Sequence, residues 1–280
     1  MGASSLEGYS YDPQFTPDGR KLLYHILKGS LPTSDPAELR VVDLDSGLNE
    51  AVLPGLLVSG TPGYAYAISP DSRNVVAAVV DREGKRRLWI GSLDHQSALH
   101  MVPNVEGYHP HLGSNGELYF ASYEEAPKLY RVHADGTGME RVKGSGDDVQ
   151  VWGLSPDSLW VMTWDPPGRL IAVPTGGGSP MPIISNLVSD GHVSWSADGK
   201  QIFITALTTM TDGRTYAIPL PKGAMLPPIP PGGFRTLEDL AKLSGTRILE
   251  GYDVAPGPTA DVYAISRSSV QRNLYRVPIP

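Results

Sequence analysis

The chain has 280 residues, of which 31 are glycine and 26 proline, so about a fifth of it disfavours long helices, against roughly 12% in average sequences. A net charge of −7 is the wrong sign for a surface that neutralises phosphate or anionic lipid, so neither nucleic acid nor membrane contact is expected of this segment. With no cysteine there is no disulfide, thiolate metal site or cysteine nucleophile, while 40% apolar and only 19% charged residues suit a large folded core. No apolar run reaches the length of a membrane span, and Met1-Gly2-Ala3-Ser4-Ser5 has neither the basic flank nor the apolar stretch of a signal peptide, so a soluble segment is expected.

The first element along the chain is a hairpin. Phe15-Thr16-Pro17-Asp18-Gly19-Arg20 offers a proline with preset φ, an aspartate that bonds its own backbone and a glycine free to take positive φ, with apolar stretches on both sides as strands. The frame returns as Ile68-Ser69-Pro70-Asp71-Ser72-Arg73 and loses its Pro-Asp in Leu112-Gly113-Ser114-Asn115-Gly116. It returns again as Leu154-Ser155-Pro156-Asp157-Ser158 and Trp195-Ser196-Ala197-Asp198-Gly199, and ends degenerate in Ala255-Pro256-Gly257-Pro258. Aligned on Pro17, Pro70, Ser114, Pro156, Ala197 and Gly257, the spacings are 53, 44, 42, 41 and 60 residues. A third strand follows each hairpin, as in Leu39-Arg40-Val41-Val42, Leu129-Tyr130-Arg131-Val132 and Asn273-Leu274-Tyr275-Arg276-Val277. Short fourth strands such as Glu140-Arg141-Val142 and Pro182-Ile183-Ile184 complete the plan.

Six units of four antiparallel strands predict an all-β fold, a six-bladed β-propeller forming a single domain over 1–280. The last unit runs out after its third strand while residues 3–7 are unassigned, so the N-terminal strand is expected to close the ring. Blades are expected to pack through Phe15, Ile68, Leu112, Leu154 and Trp195, which share one repeat position, and the five tryptophans through the same interfaces.

One segment interrupts the repeat, at about 219–246 in the fifth unit. Its Pro227-Pro228-Ile229-Pro230-Pro231 run predicts extended backbone, and Thr236-Leu237-Glu238-Asp239 predicts a capped helix of about two turns that Gly245 ends. The insertion is expected to pack on the face carrying the third-to-fourth strand turns.

Taken together, Ser/Thr-Pro-Asp-Gly/Ser-Arg/Lys followed by an apolar strand and a Leu-Tyr-Arg-Val strand resembles the WD40-like repeats of TolB-type six-bladed propellers over nearly the whole chain. That family serves protein docking, periplasmic sensing and, beside a catalytic domain, prolyl-oligopeptidase-like enzymes. The insertion and the ending Val270-Gln271-Arg272-Asn273-Leu274-Tyr275-Arg276-Val277-Pro278 resemble the propellers that follow the kinase and membrane segment of bacterial receptor-type serine/threonine kinases. The resemblance implies a non-catalytic sensor or scaffold domain of a larger signalling or envelope protein, extracytoplasmic and monomeric, with a protein or small polar ligand as partner and no cofactor. Two other readings stay open: a carbohydrate-active propeller enzyme using channel histidine and a metal, and the gating propeller of a serine hydrolase.

Catalytic motifs are absent from the sequence: no Gly-x-Ser-x-Gly, His-Glu-x-x-His, Walker loop or Gly-x-Gly-x-x-Gly occurs. Gly176-Gly177-Gly178 reads as a turn, and Asp81-Arg82-Glu83-Gly84-Lys85-Arg86-Arg87 as a solvated hairpin tip. The informative places are equivalent positions that differ in chemistry. Five residues before the alignment point stand Asp12, Ala65, His109, Val151, His192 and Tyr252, and three before it Gln14, Ala67, His111, Gly153, Ser194 and Val254. With Tyr64 and Tyr108 at strand entry, the candidate ligand site is Asp12, Tyr64, Tyr108, His109, His192 and Tyr252 at a channel mouth, away from the insertion. Channel-lining groups bonded to one another remain the alternative. Histidines there are expected to titrate near neutrality, so binding would weaken between about pH 7 and 5.

Overall fold

The computed structural model describes residues 9–27, 37–59, 65–187, 191–209, 212–259 and 261–266. The first sheet contains β1 (Tyr9–Phe15), β2 (Lys21–Leu27), β3 (Glu38–Asp43) and β4 (Asn49–Ala51), antiparallel and in chain order. A seven-stranded sheet follows, with β5 (Tyr66–Ile68), β6 (Asn74–Val80), β7 (Arg86–Ser92), β8 (His100–Leu112), β9 (Glu117–Ser122), β10 (Leu129–His133) and β11 (Glu140–Arg141). It carries two repeat units, because the first part of β8 pairs with β7 and the last part with β9. The next sheet is β12 (Gln150–Leu154), β13 (Trp160–Asp165), β14 (Arg169–Pro174) and β15 (Met181–Ile184). Then come β16 (Gly191–Trp195), β17 (Gln201–Thr209), β18 (Asp212–Pro219), the helix α1 (Leu237–Leu240) and β19 (Arg247–Glu250), with the four strands in one sheet. The described residues end with the hairpin of β20 (Tyr252–Pro256) and β21 (Tyr263–Ser266), and β20 lies beside β1. The architecture is that of a β-propeller. The closing strand expected from residues 3–7 and the third strand expected at 273–277 lie outside the described residues.

Each Pro-Asp turn is built the way its residues dictate. The Thr16 hydroxyl donates to Asp18 Oδ1 at 2.6 Å, the same carboxylate oxygen accepts from the Arg20 backbone N–H at 3.1 Å, and Lys21 N–H returns to Thr16 Oγ1 at 3.0 Å. The set recurs at Ser69 and Asp71, Ser155 and Asp157, and Ser196 and Asp198, which makes these aspartates turn locks. Gly19 holds φ +71°, and a Cβ there would lie 2.4 Å from Pro258 Cβ in the turn of the last hairpin. Glycine is therefore needed both for conformation and for the approach of first and last units.

The core lies between neighbouring sheets, so the middle strands are buried on both faces and read as near-continuous apolar runs such as Val75-Val76-Ala77-Ala78-Val79 in β6. Leu23, Leu39 and Val41 of the first sheet meet Tyr66, Val75 and Ala77 of the next, and Val76, Leu88 and Ile90 meet Leu118 and Phe120. Ile68, Leu112, Leu154 and Trp195 pack against these cores as expected. They also line a central cavity with Phe15, a role their repeat position did not reveal.

The insertion adds to the edge of the β12–β15 sheet. Phe234 N–H donates to Ile183 O at 2.8 Å, Ser185 N–H donates to Phe234 O at 2.9 Å, and Phe234 and Leu240 are buried in the core between this sheet and the next. The helix has one turn where about two were expected. Asp239 caps the backbone N–H of Thr236 as the motif suggests, but after Leu240 the backbone bonds run i to i+3, at Leu243 and Thr246, and the chain tightens toward Gly245. Among the described residues no helix is long and apolar enough to cross a membrane.

Candidate functional site

Six inner strand segments, from β1, β5, the end of β8, β12, β16 and β20, surround a cavity of about 270 Å³. Its wall is set by which rung of each strand turns inward, and two of these strands carry a β-bulge beside a polar lining residue. Register slips between Tyr11 and Gln14 in β1 and between Tyr108 and His111 in β8. The sequences there are Tyr11-Asp12-Pro13-Gln14 and Tyr108-His109-Pro110-His111, and Asp12 and His109 both take the left-handed conformation, at φ 54° and 53°. Aspartate and histidine are among the few non-glycine residues enriched there. Beyond the bulge Gln14 and His111 point to the cavity, joined by Ala67, Ser194 and Val254 from the equivalent position.

Of the six residues expected to form one site, the four whose side chains are described fall into two pairs. Asp12 and His192 line the cavity. Asp12 is 3% exposed, with Oδ2 3.4 Å from Nδ1 of the wholly buried His25. The His25 ring lies 5.1 Å from those of both Tyr11 and Tyr66, and the Tyr66 hydroxyl donates to Asp12 O at 2.6 Å. Tyr108 and His109 lie outside the cavity lining, their rings 4.4 Å apart. Tyr108 faces Tyr123 at 6.4 Å, and the Arg86 guanidinium stands 6.0 and 5.1 Å from these two rings. Burial pushes the Tyr108 phenol up to about 12, with Asp148 adding to it and Arg86 opposing. Tyr64 and the side chain of Tyr252 lie outside the described residues.

The cavity also sits further along the channel than expected. It is collared by Pro17, Pro70, Pro156 and Pro256 at the hairpin-turn end, which is the side of the insertion. Trp195, in its wall, donates its indole N–H to Met225 O at 2.9 Å. Cavity and insertion thus share one side, whereas the site was expected on the side away from the insertion.

Among the described residues, His111 Nε2, Trp152 Nε1 and Ser194 Oγ of the wall are shut off from solvent and have no hydrogen-bond partner. Trp152 is only 1% exposed, while His111 and Ser194 are half-buried. Burial pushes His111 down to about 4, and it pushes His109 well below the ordinary histidine range, with His111 and Arg86 adding to the effect. Both imidazoles are neutral at neutral pH, so the expected titration window between pH 7 and 5 moves to more acid values. No lysine or arginine lines the cavity, and Asp12 is its one carboxylate, among the described residues. Nor do three histidine, aspartate or glutamate side chains converge as a metal would require, among the described residues. Gln14, His111 and Ser194 were legible as a ring of unlike residues, whereas Tyr66 and His25 carried no sequence signal beyond ordinary strand residues.

No protein-family model matches the chain. No curated protein matches it either. Solved structures do. TolB from Acinetobacter baumannii superposes with a TM-score of 0.57 at 17% identity, over 76% of this chain and 52% of that one. A TolB-type protein from Agrobacterium tumefaciens superposes with a TM-score of 0.64 at 15% identity, over 94% of this chain and 91% of that one. An oligogalacturonate lyase in complex with manganese reaches a TM-score of 0.49 at 16% identity, over 78% of this chain and 76% of that one. The chain thus spans about half the length of the Acinetobacter protein.

Proposed function

From a chain folded as a TolB-like β-propeller, we propose a non-catalytic binding domain whose central cavity receives one small polar group, belonging to a free ligand or to a segment of a partner protein. One observation carries this reading: equivalent positions of a repeated framework diverge in chemistry where they meet at the cavity, with Gln14, His111 and Ser194 standing where Ala67 and Val254 suffice elsewhere. Polar side chains at such positions cost stability unless partners satisfy them, so a wall that keeps Gln14, His111 and Ser194 supports a role in binding. The proline collar fixes φ around the opening, so little ordering is required when a ligand enters. Membership of a larger extracytoplasmic sensor, such as a receptor kinase, fits this reading and rests on the sequence resemblance alone.

A thermal-shift screen of small polar molecules and short peptides tests it, run in parallel on the wild type and on Ala197→Trp. Ala197 is exposed at the cavity opening where other units have proline, so an indole there obstructs entry with little cost to the fold. Compounds that stabilise the wild type are expected to lose their effect on the variant. Hits that stabilise both equally would place binding elsewhere.

A further inference from the structure

We propose that the cavity is selective for an uncharged, hydroxyl-rich ring, a single sugar or cyclic polyol, and discriminates against anions; this rests on the binding reading above. Charge is the first ground. An anion entering the cavity would lose water and, among the described lining residues, meet no lysine or arginine, only the Asp12 carboxylate. The collar adds no base: Asp18, Asp71, Asp157 and Asp198 directly follow Pro17, Pro70, Pro156 and Ala197, each held by its carboxylate in its own turn. Of the bases that follow these aspartates, Lys200 Nζ lies 2.9 Å from Asp198 itself and Arg20 3.7 Å from Asp45.

Hydrogen-bonding capacity is the second ground. A neutral imidazole at His111, a hydroxyl at Ser194 and the Gln14 amide form a mixed set of donors and acceptors. Gln14 Nε2 donates to Tyr66 O at 3.3 Å. No protein bond holds the Ser194 hydroxyl in its present rotamer, and the half-buried side chain needs only a χ1 rotation to present it elsewhere. Ligand hydroxyls, each donor and acceptor at once, match such a set. A carboxylate offers only acceptors and an ammonium only donors.

Shape is the third ground. Phe15 and Trp195, both half-buried, add aromatic rings to the same wall, suited to the C–H face of a sugar ring. At about 270 Å³ the space falls just below the roughly 300–1,000 Å³ usual for drug-sized ligands, so it holds one ring rather than an oligomer. That ring is either a free monosaccharide or the terminal residue of a longer glycan.

The test is isothermal titration of galactose, glucose, myo-inositol, glucosamine and galacturonate into the wild type, Ser194→Ala and Ala197→Trp, with neutral galactooligosaccharides as a second arm. Binding of at least one neutral ring is expected, tenfold or more tighter than galacturonate or glucosamine, about fivefold weaker in Ser194→Ala and lost in Ala197→Trp. A tighter oligosaccharide identifies a glycan terminus as the source, and a tighter monosaccharide a free sugar. Equal or preferred binding of galacturonate or glucosamine overturns the selectivity. If no neutral ring binds while a peptide does so in an Ala197→Trp-sensitive manner, the sugar inference falls and the binding reading survives. If nothing responds to Ala197→Trp, both fall.

Discussion

Ser158 reaches from its own turn to the turn of the preceding repeat, where its Oγ accepts the Ser114 backbone N–H at 2.7 Å and lies 3.0 Å from the Ser114 hydroxyl. Ser72 does the same one pair of units earlier, accepting from Asp18 N–H at 3.0 Å. Both serines hold positive φ, 60° and 63°, at the corner where glycine stands in other units. The strain of a left-handed serine is thus offset by a bond that joins neighbouring turns at the cavity opening.

Ser158→Ala keeps the strain and orphans the Ser114 N–H, so it is expected to destabilise the fold by about 1–3 kcal/mol, read from the urea midpoint. Ser158→Gly loses the same bond but relieves the backbone, and should cost about 1 kcal/mol less than alanine. An alanine variant as stable as the wild type would show that the turn-to-turn bond contributes nothing.

Gly19 and Gly47 share positive φ, +71° and +73°, but a Cβ at Gly47 meets nothing within 4 Å. Gly47→Ala is therefore expected to cost about 1 kcal/mol from backbone conformation alone, and Gly19→Ala at least about 1 kcal/mol more, because Pro258 must give way. Equal melting temperatures for the two variants would contradict close packing between the first and last described units.

The turns, the strand order and the place of the insertion were legible because their signals are local: Pro17-Asp18-Gly19 makes its turn from its own side chains. Which residues face the cavity was less so. In the two units with bulges at Asp12 and His109, Gln14 and His111 line the cavity, with Asp12 beside them and His109 outside. The recurrence of Tyr-x-Pro in just those two units was a signal that could have been read. His25 could not, since a lone histidine in the apolar strand β2 becomes meaningful only when folding sets it 3.4 Å from Asp12. Nor does composition tell that 219–246 would extend the β12–β15 sheet rather than form a longer helix.

His111 makes the fold acid-sensitive. Its folded-state value, about 4, lies below the ordinary 6.5, so between these values the unfolded chain binds more protons and stability rises with pH. The contribution is complete above pH 6.5 and is lost as pH falls toward 4. Because the ring is half-buried and partly hydrated, a loss on the order of 1 kcal/mol from pH 6.5 to 5 is expected, and His111→Gln should flatten it. Identical pH profiles of the two proteins would show that His111 is not held neutral by burial.

Phe234 anchors the insertion by both backbone and ring. Phe234→Ala is expected to destabilise by about 3 kcal/mol, since it empties a buried site between two sheets. Limited proteolysis should then cut within 219–246 before any other segment. First cleavage elsewhere would argue that the insertion is held independently of this residue.

Amide hydrogen exchange on the protein with its tightest-binding ligand tests the cavity most directly. Binding there predicts slowed exchange in the inner strands and turns around Gln14, Trp152 and Ser194, with the outer strands β4, β11 and β15 unchanged. Protection confined to those outer strands, with the inner segments unaffected, would contradict the account.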